Sequence, residues 1–310
     1  MTTPAAADAL ETQHDQRTRA NGLEIAYDTF RSKAGHGEPL FLIMGIGAQR
    51  IFWPEGLCEE LASRGYEVIR FDNRDVGQST RVDHLETPSV LESLGALAAG
   101  KPVPAPYTLD HMADDTVELM SALDHEDAHV CGASMGGMIA QTVAIRHPTR
   151  IRTLTSIMST TGNPSLPPAD PNAMAVLTQP APQEADAYAD HAVKVWRTIG
   201  SPGFDFNEDE VRERARLAFE RGISPKGFSR QLAAILAHGN RKPALGKVET
   251  PTTVIHGKAD LLVPVTGGID TADAIDGAEL VLIEGMGHDL PEGVWLQIAD
   301  AIDSVRARVS

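Results

Sequence analysis

Short apolar runs alternate with stretches of helical pattern along much of this 310-residue chain, and this alternation restricts the fold more than any other feature. The runs up to residue 158 are Leu40–Met44, Glu67–Phe71, Ala128–Gly132 and Arg152–Met158. Helical patterns separate them at 54–65, 109–125 and 135–147. Runs that are apolar on both faces suit strands covered by helices on each side, and alternating strands and helices form βαβ units. The pattern therefore predicts an α/β fold with a mostly parallel, twisted sheet flanked by helices.

The N-terminal region carries a separate local signal. Asn21-Gly22 lies between two extended stretches within residues 16–30, and this dipeptide favours the tight turn of a β-hairpin. Residues 1–15 are rich in Ala, Thr, Asp and Gln and have no apolar period. We therefore expect residues 1–15 to form a flexible tail ahead of the hairpin.

The alternation of strand and helix patterns stops after residue 158 and resumes near residue 250. The interval contains Pro- and Ala-rich loops and helical patterns, at 185–199, 208–221 and 225–238. Strand patterns return at Thr252–His256 and Leu280–Glu284, and a last helix follows from Pro291. Because the chain must return to complete one sheet, an insertion is favoured over a separately folding domain. We predict a core of residues 16–158 and 250–310, with a helical cap at 159–249 over the carboxyl edge of the sheet.

Composition excludes several classes of partner. A formal net charge of −16 gives a surface that repels nucleic acid and anionic lipid, so neither nucleic acid nor a membrane is an expected partner. No apolar run approaches the roughly 20 residues that span a bilayer, and the N-terminal sequence lacks the pattern of a secretory signal. The two cysteines, Cys58 and Cys131, are far apart and have no metal-type spacing. We expect a cytoplasmic protein.

The strand pattern that ends at Gly132 leads into Gly132-Ala-Ser134-Met-Gly136, a G-x-S-x-G sequence with a helical pattern after it. Glycine two residues before and two residues after the serine lets neighbouring backbone approach a sharp strand-to-helix turn, which projects the serine oxygen above the sheet. The next amide, that of Met135, lies at a helix N-terminus, where unpaired N–H groups favour negative charge. The pattern predicts Ser134 as a nucleophile and Met135 as one donor of an oxyanion hole.

A nucleophilic serine needs a base, and the base needs a carboxylate that orients it. His288 stands after the last strand pattern in the glycine-flanked sequence Gly285-Met-Gly-His288, whereas the other ten of the eleven histidines fall in strands, helices or polar loops. Asp260 follows the preceding strand pattern, on the same sheet edge as Ser134. Asp289 is the nearest rival, but a residue seldom reaches the Nδ1 atom of its own neighbour. We predict that Ser134, His288 and Asp260 form a catalytic triad.

The oxyanion of acyl transfer needs a second amide donor. The turn after the first buried strand, Met44-Gly-Ile46-Gly, has glycine on either side of Ile46, which lets the backbone direct this amide toward the reaction centre. Taken alone, such a turn is more often an ordinary glycine-containing turn. It lies, however, at the carboxyl end of a predicted parallel strand, as Ser134, Asp260 and His288 do, and open α/β sheets bind ligands at that edge. We predict Ile46 as the second donor.

Two other groups of reactive side chains have simpler explanations. Cys131 lies inside a buried strand and is better explained as a small core residue than as a second nucleophile. His125 and His129 are four residues apart but do not share a helical face, and no zinc motif accompanies them. We therefore predict no metal site.

The motifs resemble those of the α/β-hydrolase superfamily, over nearly the whole chain from about Arg19. Phe71–Ser79 is similar to the family's Asp-x-Arg-Gly-x-Gly-x-Ser stretch, in which a structural role for Arg74 and Asp75 is favoured over a catalytic one. Many members carry His-Gly where this chain has Met44-Gly45, so the bracing of that loop is left open.

Within the superfamily, Gly285–Pro291 and Ser134–Met138 resemble bacterial carboxylesterases of the aclacinomycin methylesterase type. The chain as a whole also resembles a bacterial esterase of small cyclopropanecarboxylate esters, a likeness that no single residue carries. The superfamily's haloalkane dehalogenases and epoxide hydrolases use an aspartate nucleophile at the place of Ser134. The resemblance therefore implies acyl chemistry.

The residues and the resemblance together predict a serine carboxylesterase that hydrolyses small apolar carboxylic esters through an acyl-enzyme intermediate and needs no cofactor. The expected partner is a small-molecule ester. Three alternatives stay open: C–C bond hydrolysis or cofactor-free peracid synthesis with the same triad, a slow-turnover ligand receptor, and a structural or interaction protein on the same scaffold. We expect the cap and the segment Ile51-Phe52-Trp53 to wall an apolar acyl pocket. Further side chains that we expect to line it, each equally well explained as core, are Met158, Phe204, Phe228 and Ile235.

Overall fold

The computed structural model describes residues 10–33, 35 and 37–309, so residues 1–9 of the predicted tail lie outside the described residues. The strands of its sheet are β1 (Leu10–Ala20), β2 (Leu23–Ser32), β3 (Glu38–Ile43), β4 (Tyr66–Phe71), β5 (Ala128–Ala133), β6 (Ile151–Ile157), β7 (Thr252–Gly257) and β8 (Glu279–Ile283). They form one eight-stranded sheet in the order β1-β2-β4-β3-β5-β6-β7-β8. β3 to β8 are parallel to one another, whereas β1 pairs antiparallel with β2, and β2 with β4. The prediction of an α/β fold with a mostly parallel sheet is confirmed.

The antiparallel edge of the sheet begins earlier in the chain than predicted. β1 and β2 form the predicted hairpin, and its turn places Asn21 at φ 48° and Gly22 at φ 75°, in the left-handed region that Asn and Gly tolerate best. The tail prediction was wrong for residues 10–15, because β1 starts at Leu10 and pairs with the far end of β2. This stretch is polar and partly exposed, so it lacks the apolar alternation that marks a half-buried strand.

The helices of the described residues are α1 (Glu55–Ser63), α2 (Val90–Ala98), α3 (Leu109–Ala122), α4 (Met135–Arg146), α5 (Pro171–Leu177), α6 (Ala185–Ile199), α7 (Glu208–Gly222), α8 (Pro225–His238), α9 (Lys242–Leu245), α10 (Thr266–Ala274) and α11 (Trp295–Arg306). The predicted helical patterns correspond to α1, α3, α4, α6, α7, α8 and α11. The sequence did not predict α2, α5, α9 and α10, which have at most nine residues each. None of the helices in this described part of the chain is long and apolar enough to cross a membrane.

Strand β3 illustrates how the sheet is buried on both faces. Leu40 and Leu42 pack in a cluster with side chains of α1 and α11, whereas Phe41 and Ile43 pack in a cluster with side chains of α3 and α4. All four side chains are at most 1% exposed. Full burial of an apolar side chain of this size contributes about 1.5–3 kcal/mol, so these clusters hold the sheet and its carboxyl edge firmly in place.

The chain between β6 and β7 forms α5 to α9 and contributes no strand to the described part of the sheet. α6 and α7 pack against each other, and α8 packs against α2 and α3 of the core. Residues of α6, α7 and α8 share one cavity with the residues that follow β3, β5, β6 and β8. These helices therefore cover the carboxyl edge of the sheet, and residues 159–249 are called the cap below.

Candidate active site

The turn between β5 and α4 holds Ser134 at φ 57° and ψ −121°. Backbone geometry of this kind is costly for a residue with a side chain, and it is found mainly at functional sites. Flanking glycines allow the turn: a Cβ at Gly132 would lie 2.0 Å from the carbonyl oxygen of Gly136, and a Cβ at Gly136 would lie 1.9 Å from the carbonyl oxygen of Ile43. The G-x-S-x-G spacing thus lets β3, β5 and α4 meet backbone to backbone beneath the serine.

His288 lies between Ser134 and Asp260. Its Nε2 atom is 3.0 Å from Oγ of Ser134, and its Nδ1 atom is 2.7 Å from Oδ2 of Asp260. Oδ1 of Asp260 accepts hydrogen bonds from the amides of Leu262 and Val263, at 2.9 and 2.8 Å. The structure therefore brings together the three side chains selected from the sequence, each from a loop after a different parallel strand.

The surroundings of Asp260 favour its ionised form. Burial by itself raises the pKa of Asp260, but the charge of His288 and hydrogen bonds from His256 and His288 outweigh burial and hold this pKa well below its ordinary value. An ionised carboxylate at Nδ1 fixes the imidazole tautomer in which Nε2 is free to accept a proton from Ser134.

The rival carboxylate, Asp289, has a different partner. Its Oδ1 atom accepts a hydrogen bond from the hydroxyl of Ser201, at the C-terminal end of α6. Asp289 is partly buried, and burial raises its pKa above the ordinary value. The two carboxylates near His288 are therefore shifted in opposite directions, and only Asp260 bonds to the imidazole.

The two amides predicted to form an oxyanion hole flank the serine. Met135 is the first residue of α4, a position whose N–H has no intrahelical acceptor. The loop that contains Ile46 passes close to the serine, since a Cβ at Gly45 would lie 3.1 Å from Cβ of Ser134. Among the described residues, neither the Ile46 nor the Met135 amide is observed to donate a hydrogen bond. Both N–H groups are thus free to bind a negatively charged oxygen.

The Ile46 loop is braced from two sides. Gln231 of α8, which is fully buried, accepts a hydrogen bond from the amide of Gly47 at 2.8 Å and donates one to the carbonyl of Arg74 at 2.8 Å. Asn73 donates to the carbonyl of Met44 at 3.0 Å. These contacts answer the question raised by the absence of a His-Gly pair: a cap side chain and a core side chain hold the loop.

Arg74 and Asp75 anchor the neighbouring loop, as predicted. Arg74 forms two hydrogen bonds with the carboxylate of Asp115, at 2.5 and 2.6 Å. Asp75 accepts hydrogen bonds from Arg230 of α8, at 2.6 and 2.9 Å, and from the hydroxyl of Tyr107 at 2.7 Å. Because Arg230 and Asp75 are both fully buried, this ion pair fastens α8 to the core next to Gln231.

A cavity of about 1090 Å³ opens above Ser134 and His288. Of the predicted pocket residues, Phe52, Met158, Phe204 and Phe228 line it. The cavity is slightly larger than the usual range of ligand pockets, roughly 300–1,000 Å³, and is therefore larger than a small ester requires.

The predictions for Trp53 and Ile235 were wrong. Trp53 is fully buried in the core cluster that includes α1 and α11, and the preceding residue, Phe52, faces the cavity instead. Ile235 lies two turns beyond Phe228 along α8 and packs against the cluster on the α3 and α4 side of the sheet. The hydrophobic pattern of the sequence predicts that both side chains avoid water, but it does not distinguish a core position from a position in the cavity wall.

The sequence predicted that the cap walls the pocket, but it did not identify the α6 and α7 side chains of that wall. Side chains of α6 and α7 form this wall, and they include Tyr188, His191, Val195, Trp196, Val211 and Arg214. Among the described residues that line the cavity, Arg214 is the one Lys or Arg side chain, and it forms an ion pair with Glu210. The apolar stripe of α6, opposite its charged face, was the signal that could have identified this wall.

Cys131 is not among the described residues that line the cavity. Cys131 is fully buried, and burial raises the pKa of its thiol. Within the described residues, no group of three or more His, Cys, Asp or Glu side chains could hold a metal ion.

Known proteins support the fold seen here. A family model described as alpha/beta hydrolase fold matches residues 38–292. The chain is 31% identical over 291 residues to rhodomycin D methylesterase DauP of Streptomyces sp. strain C5, which covers 85% of this chain and 89% of that protein. It is 28% identical over 284 residues to 2-hydroxymuconate semialdehyde hydrolase of Pseudomonas sp. strain CF600, which covers 86% of this chain and 84% of that protein.

A similar solved structure is that of the enol-lactonase from Burkholderia xenovorans LB400. It has a TM-score of 0.71 and 22% sequence identity, and the match covers 94% of this chain and 100% of the lactonase chain. At this level of identity the likeness concerns the fold alone.

Proposed function

The chain belongs to the α/β-hydrolase fold family, and from this premise we propose that it is a serine carboxylesterase that hydrolyses apolar carboxylic esters through an acyl-enzyme intermediate. The observation that carries the proposal is the continuous hydrogen-bonded series from Ser134 through His288 to Asp260. Such a series activates a hydroxyl group that is otherwise a weak nucleophile at neutral pH.

The geometry supports a two-stage reaction. Oγ of Ser134 attacks the ester carbonyl while Nε2 of His288 takes the hydroxyl proton, and Asp260 stabilises the resulting imidazolium. The bond from the carbonyl carbon to the alcohol oxygen then breaks, and His288 returns the proton to the departing alcohol. Water attacks the acyl-Ser134 ester with His288 again as base, which releases the acid and restores the serine.

The Ile46 and Met135 amides are proposed to bind the carbonyl oxygen when it carries negative charge. Both are backbone groups, so they need no reorganisation as the charge develops, and the loss of one such donor typically costs about 10²–10³ in rate. The bracing of the Ile46 loop by Gln231 supports this role, because an oxyanion hole functions only when its donors are held in place.

The cavity supports a neutral, apolar acyl group. Phe204, Phe228 and Met158 lie in the same cavity as Ser134, and the charge of Arg214 is already balanced by Glu210. An anionic substrate would need an unpaired cation in the cavity. The volume leaves room for acids larger than the small ones expected from sequence, and the similarity to a methylesterase supports a small alcohol as the leaving group.

C–C bond hydrolysis is a second candidate, because the semialdehyde hydrolase is among the similar proteins. The test compares p-nitrophenyl and methyl esters of increasing acyl size with a ring-cleavage diketone, with and without peroxide. We expect steady turnover of esters. Preferential turnover of the diketone, peracid formation, or a single burst without turnover would favour the C–C hydrolase, the perhydrolase or the slow receptor, respectively.

Two variants assign the nucleophile. Ser134→Ala should lower ester turnover by about 10³ or more, by analogy with deletions in known triads. Cys131→Ala, which removes the buried thiol three residues earlier, is the matched control and should retain activity close to that of the parent. Ester turnover by Ser134→Ala within about tenfold of the parent would refute the proposal.

A further inference from the structure

We propose that the cap segment Ile199–Gly203 positions the general base, and that Ser201 is the positioning residue within it. The loop that it holds is Gly285–Asp289, called the base loop below. This inference rests on the proposed function, since it assigns a role to the cap in the chemistry of Ser134 and His288. It means that the cap fixes the base as well as enclosing the substrate.

Backbone hydrogen bonds join the two segments directly. The amide of His288 donates to the carbonyl of Ile199 at 2.7 Å, and the amide of Gly203 donates to the carbonyl of Gly285 at 2.9 Å. The main chain of the base itself is thus bonded to the end of α6. Two separate bonds, at the first and fourth residues of a five-residue loop, restrict both its position and its tilt.

Ser201 adds side-chain bonds on either side of the base. Its hydroxyl oxygen accepts a hydrogen bond from the amide of Gly287 at 2.9 Å, and the same hydroxyl donates to the carboxylate of Asp289. Gly287, His288 and Asp289 are consecutive, so each of the three residues centred on the base is bonded to the cap segment. No other side chain of the described cap is observed to hydrogen-bond to the base loop.

The glycines of the base loop have a packing reason in this contact. A Cβ at Gly287 would lie 2.1 Å from the carbonyl oxygen of Gly200, and a Cβ at Gly285 would lie 2.8 Å from Cα of Gly203. The two backbones therefore touch without an intervening side chain. The cap segment therefore packs directly against the same glycines that distinguished His288 from the other histidines in the sequence.

This arrangement predicts a specific effect on the rate of the chemical step. Asp260 holds Nδ1 of the imidazole, but the position of the His288 backbone depends on the loop, and a displacement of about 1 Å at a reacting group can cost about a hundredfold in rate. Ser201 is not among the residues that line the cavity. Loss of its hydroxyl should therefore slow the chemical step without weakening substrate binding.

The main experiment compares Ser201→Ala with Thr198→Ala on a p-nitrophenyl ester. The Thr198 hydroxyl lies at the same end of α6, and among the described residues its observed hydrogen bond is to the carbonyl of Lys194 in its own helix, which makes it a matched control. We expect Ser201→Ala to lower kcat by about tenfold to a hundredfold with KM within about twofold of the parent, and Thr198→Ala to behave as the parent. Thermal unfolding of both variants checks that they are folded.

A second pair of variants tests the same contact from the other side. Asp289→Asn keeps an oxygen that can accept from Ser201 and should retain most of the parent kcat, whereas Asp289→Ala removes the acceptor and should lower kcat. In the double variant Ser201→Ala/Asp289→Ala the loss should be smaller than the product of the single losses, because both changes break the same Ser201–Asp289 hydrogen bond. If Ser201→Ala does not fold, the two Asp289 variants decide the matter.

Several outcomes would overturn the inference. These are a parent-like kcat in Ser201→Ala, a rise in KM with kcat unchanged, an equal loss in Thr198→Ala, or equal activity in Asp289→Asn and Asp289→Ala. Ester turnover by Ser134→Ala, measured in the same assay, distinguishes failure of the cap-segment proposal from failure of the proposed function. Parent-like Ser201→Ala with inactive Ser134→Ala removes only the role of the cap segment, whereas active Ser134→Ala removes the proposed function itself.

Discussion

The site has two halves that are held in different ways. The core holds Ser134 through the strained turn between β5 and α4, and it holds Asp260 through the amides of Leu262 and Val263. The base loop and the Ile46 loop also follow core strands, but each receives bonds from the cap, through Ser201 and Gln231 respectively. We call these the core-held half and the cap-held half.

The difference between the two halves shows what the cap contributes to the site. Contacts within the core-held half are local in sequence: the oxygen of Asp260 bonds to amides two and three residues away. Contacts in the cap-held half join residues that are far apart, such as Gly47 and Gln231, separated by 184 positions. Changes in the core-held half should therefore abolish the chemistry, and changes in the cap contacts should only misalign it.

The largest effect is expected for Asp260→Asn, in the core-held half. An amide at this position no longer stabilises the imidazolium and favours the wrong tautomer of His288, so we expect kcat to fall by about 10³–10⁴. Steady-state kinetics of ester hydrolysis measure this fall in kcat. Asp276→Asn, at an exposed acid outside the site, is the control and should be silent. A loss of less than about tenfold would mean that another group orients the base.

A smaller effect is expected for Gln231→Leu, in the cap-held half. Leucine is similar in size but makes neither hydrogen bond, so the amide of Gly47 and the carbonyl of Arg74 lose their partner. The carbonyl of Arg74 is then an unsatisfied buried group, which costs about 1–3 kcal/mol in stability, whereas the exposed Gly47 amide can bind water. Because the Ile46 loop is then free to move, kcat should fall by about tenfold or more, less than for outright loss of an oxyanion donor.

Urea unfolding and ester kinetics measure the two consequences of Gln231→Leu. Gln183→Leu, at an exposed loop position of the cap, is the control. An unstable protein with full kcat would show that Gln231 braces the cap but not the oxyanion hole.

The smallest effect is expected for pH-dependent stability, where the two carboxylates near His288 differ. Burial raises the pKa of Asp289, so the contribution of its protonated form is present below the unfolded pKa and is lost as pH rises through the native pKa. Asp289→Asn removes this loss. The variant should therefore gain stability relative to the parent as pH rises above the unfolded pKa of the carboxyl group.

Free energies of unfolding at pH 4, 5, 6 and 7 measure this gain. The pKa of Asp260 is shifted the other way, so its contribution is present above its unfolded pKa and is lost only as pH falls through the depressed native value. Asp260→Asn should consequently show no gain in this range. Identical pH profiles for Asp289→Asn and the parent would contradict the assignment of a raised pKa to Asp289.

The core-held half could be predicted from the sequence because the patterns that indicate it are local. The spacing around Ser134 and the position of Asp260 after a strand are patterns of a few residues, and the topology of a parallel sheet brings them to one edge. His288 could be found for the same reason, from the glycines of its loop.

The contacts of the cap could not be read in this way. Gln231 and Ser201 look like ordinary helix and turn residues in the sequence, and their partners depend on how helices pack over the sheet. Phe52 and Trp53 are adjacent and both aromatic, and only the fold tells which one faces the cavity. The strand residues 10–15 escaped detection because an exposed edge strand needs no apolar alternation.

The most direct test of the central claim is to trap the acyl group on the protein. Turnover of a p-nitrophenyl ester is stopped with acid before the steady state ends, and the peptides are analysed by mass spectrometry. The account predicts one added acyl group on the peptide that contains Ser134, and none in Ser134→Ala. Steady ester turnover with an acyl group on another residue, or turnover undiminished in Ser134→Ala, would contradict it.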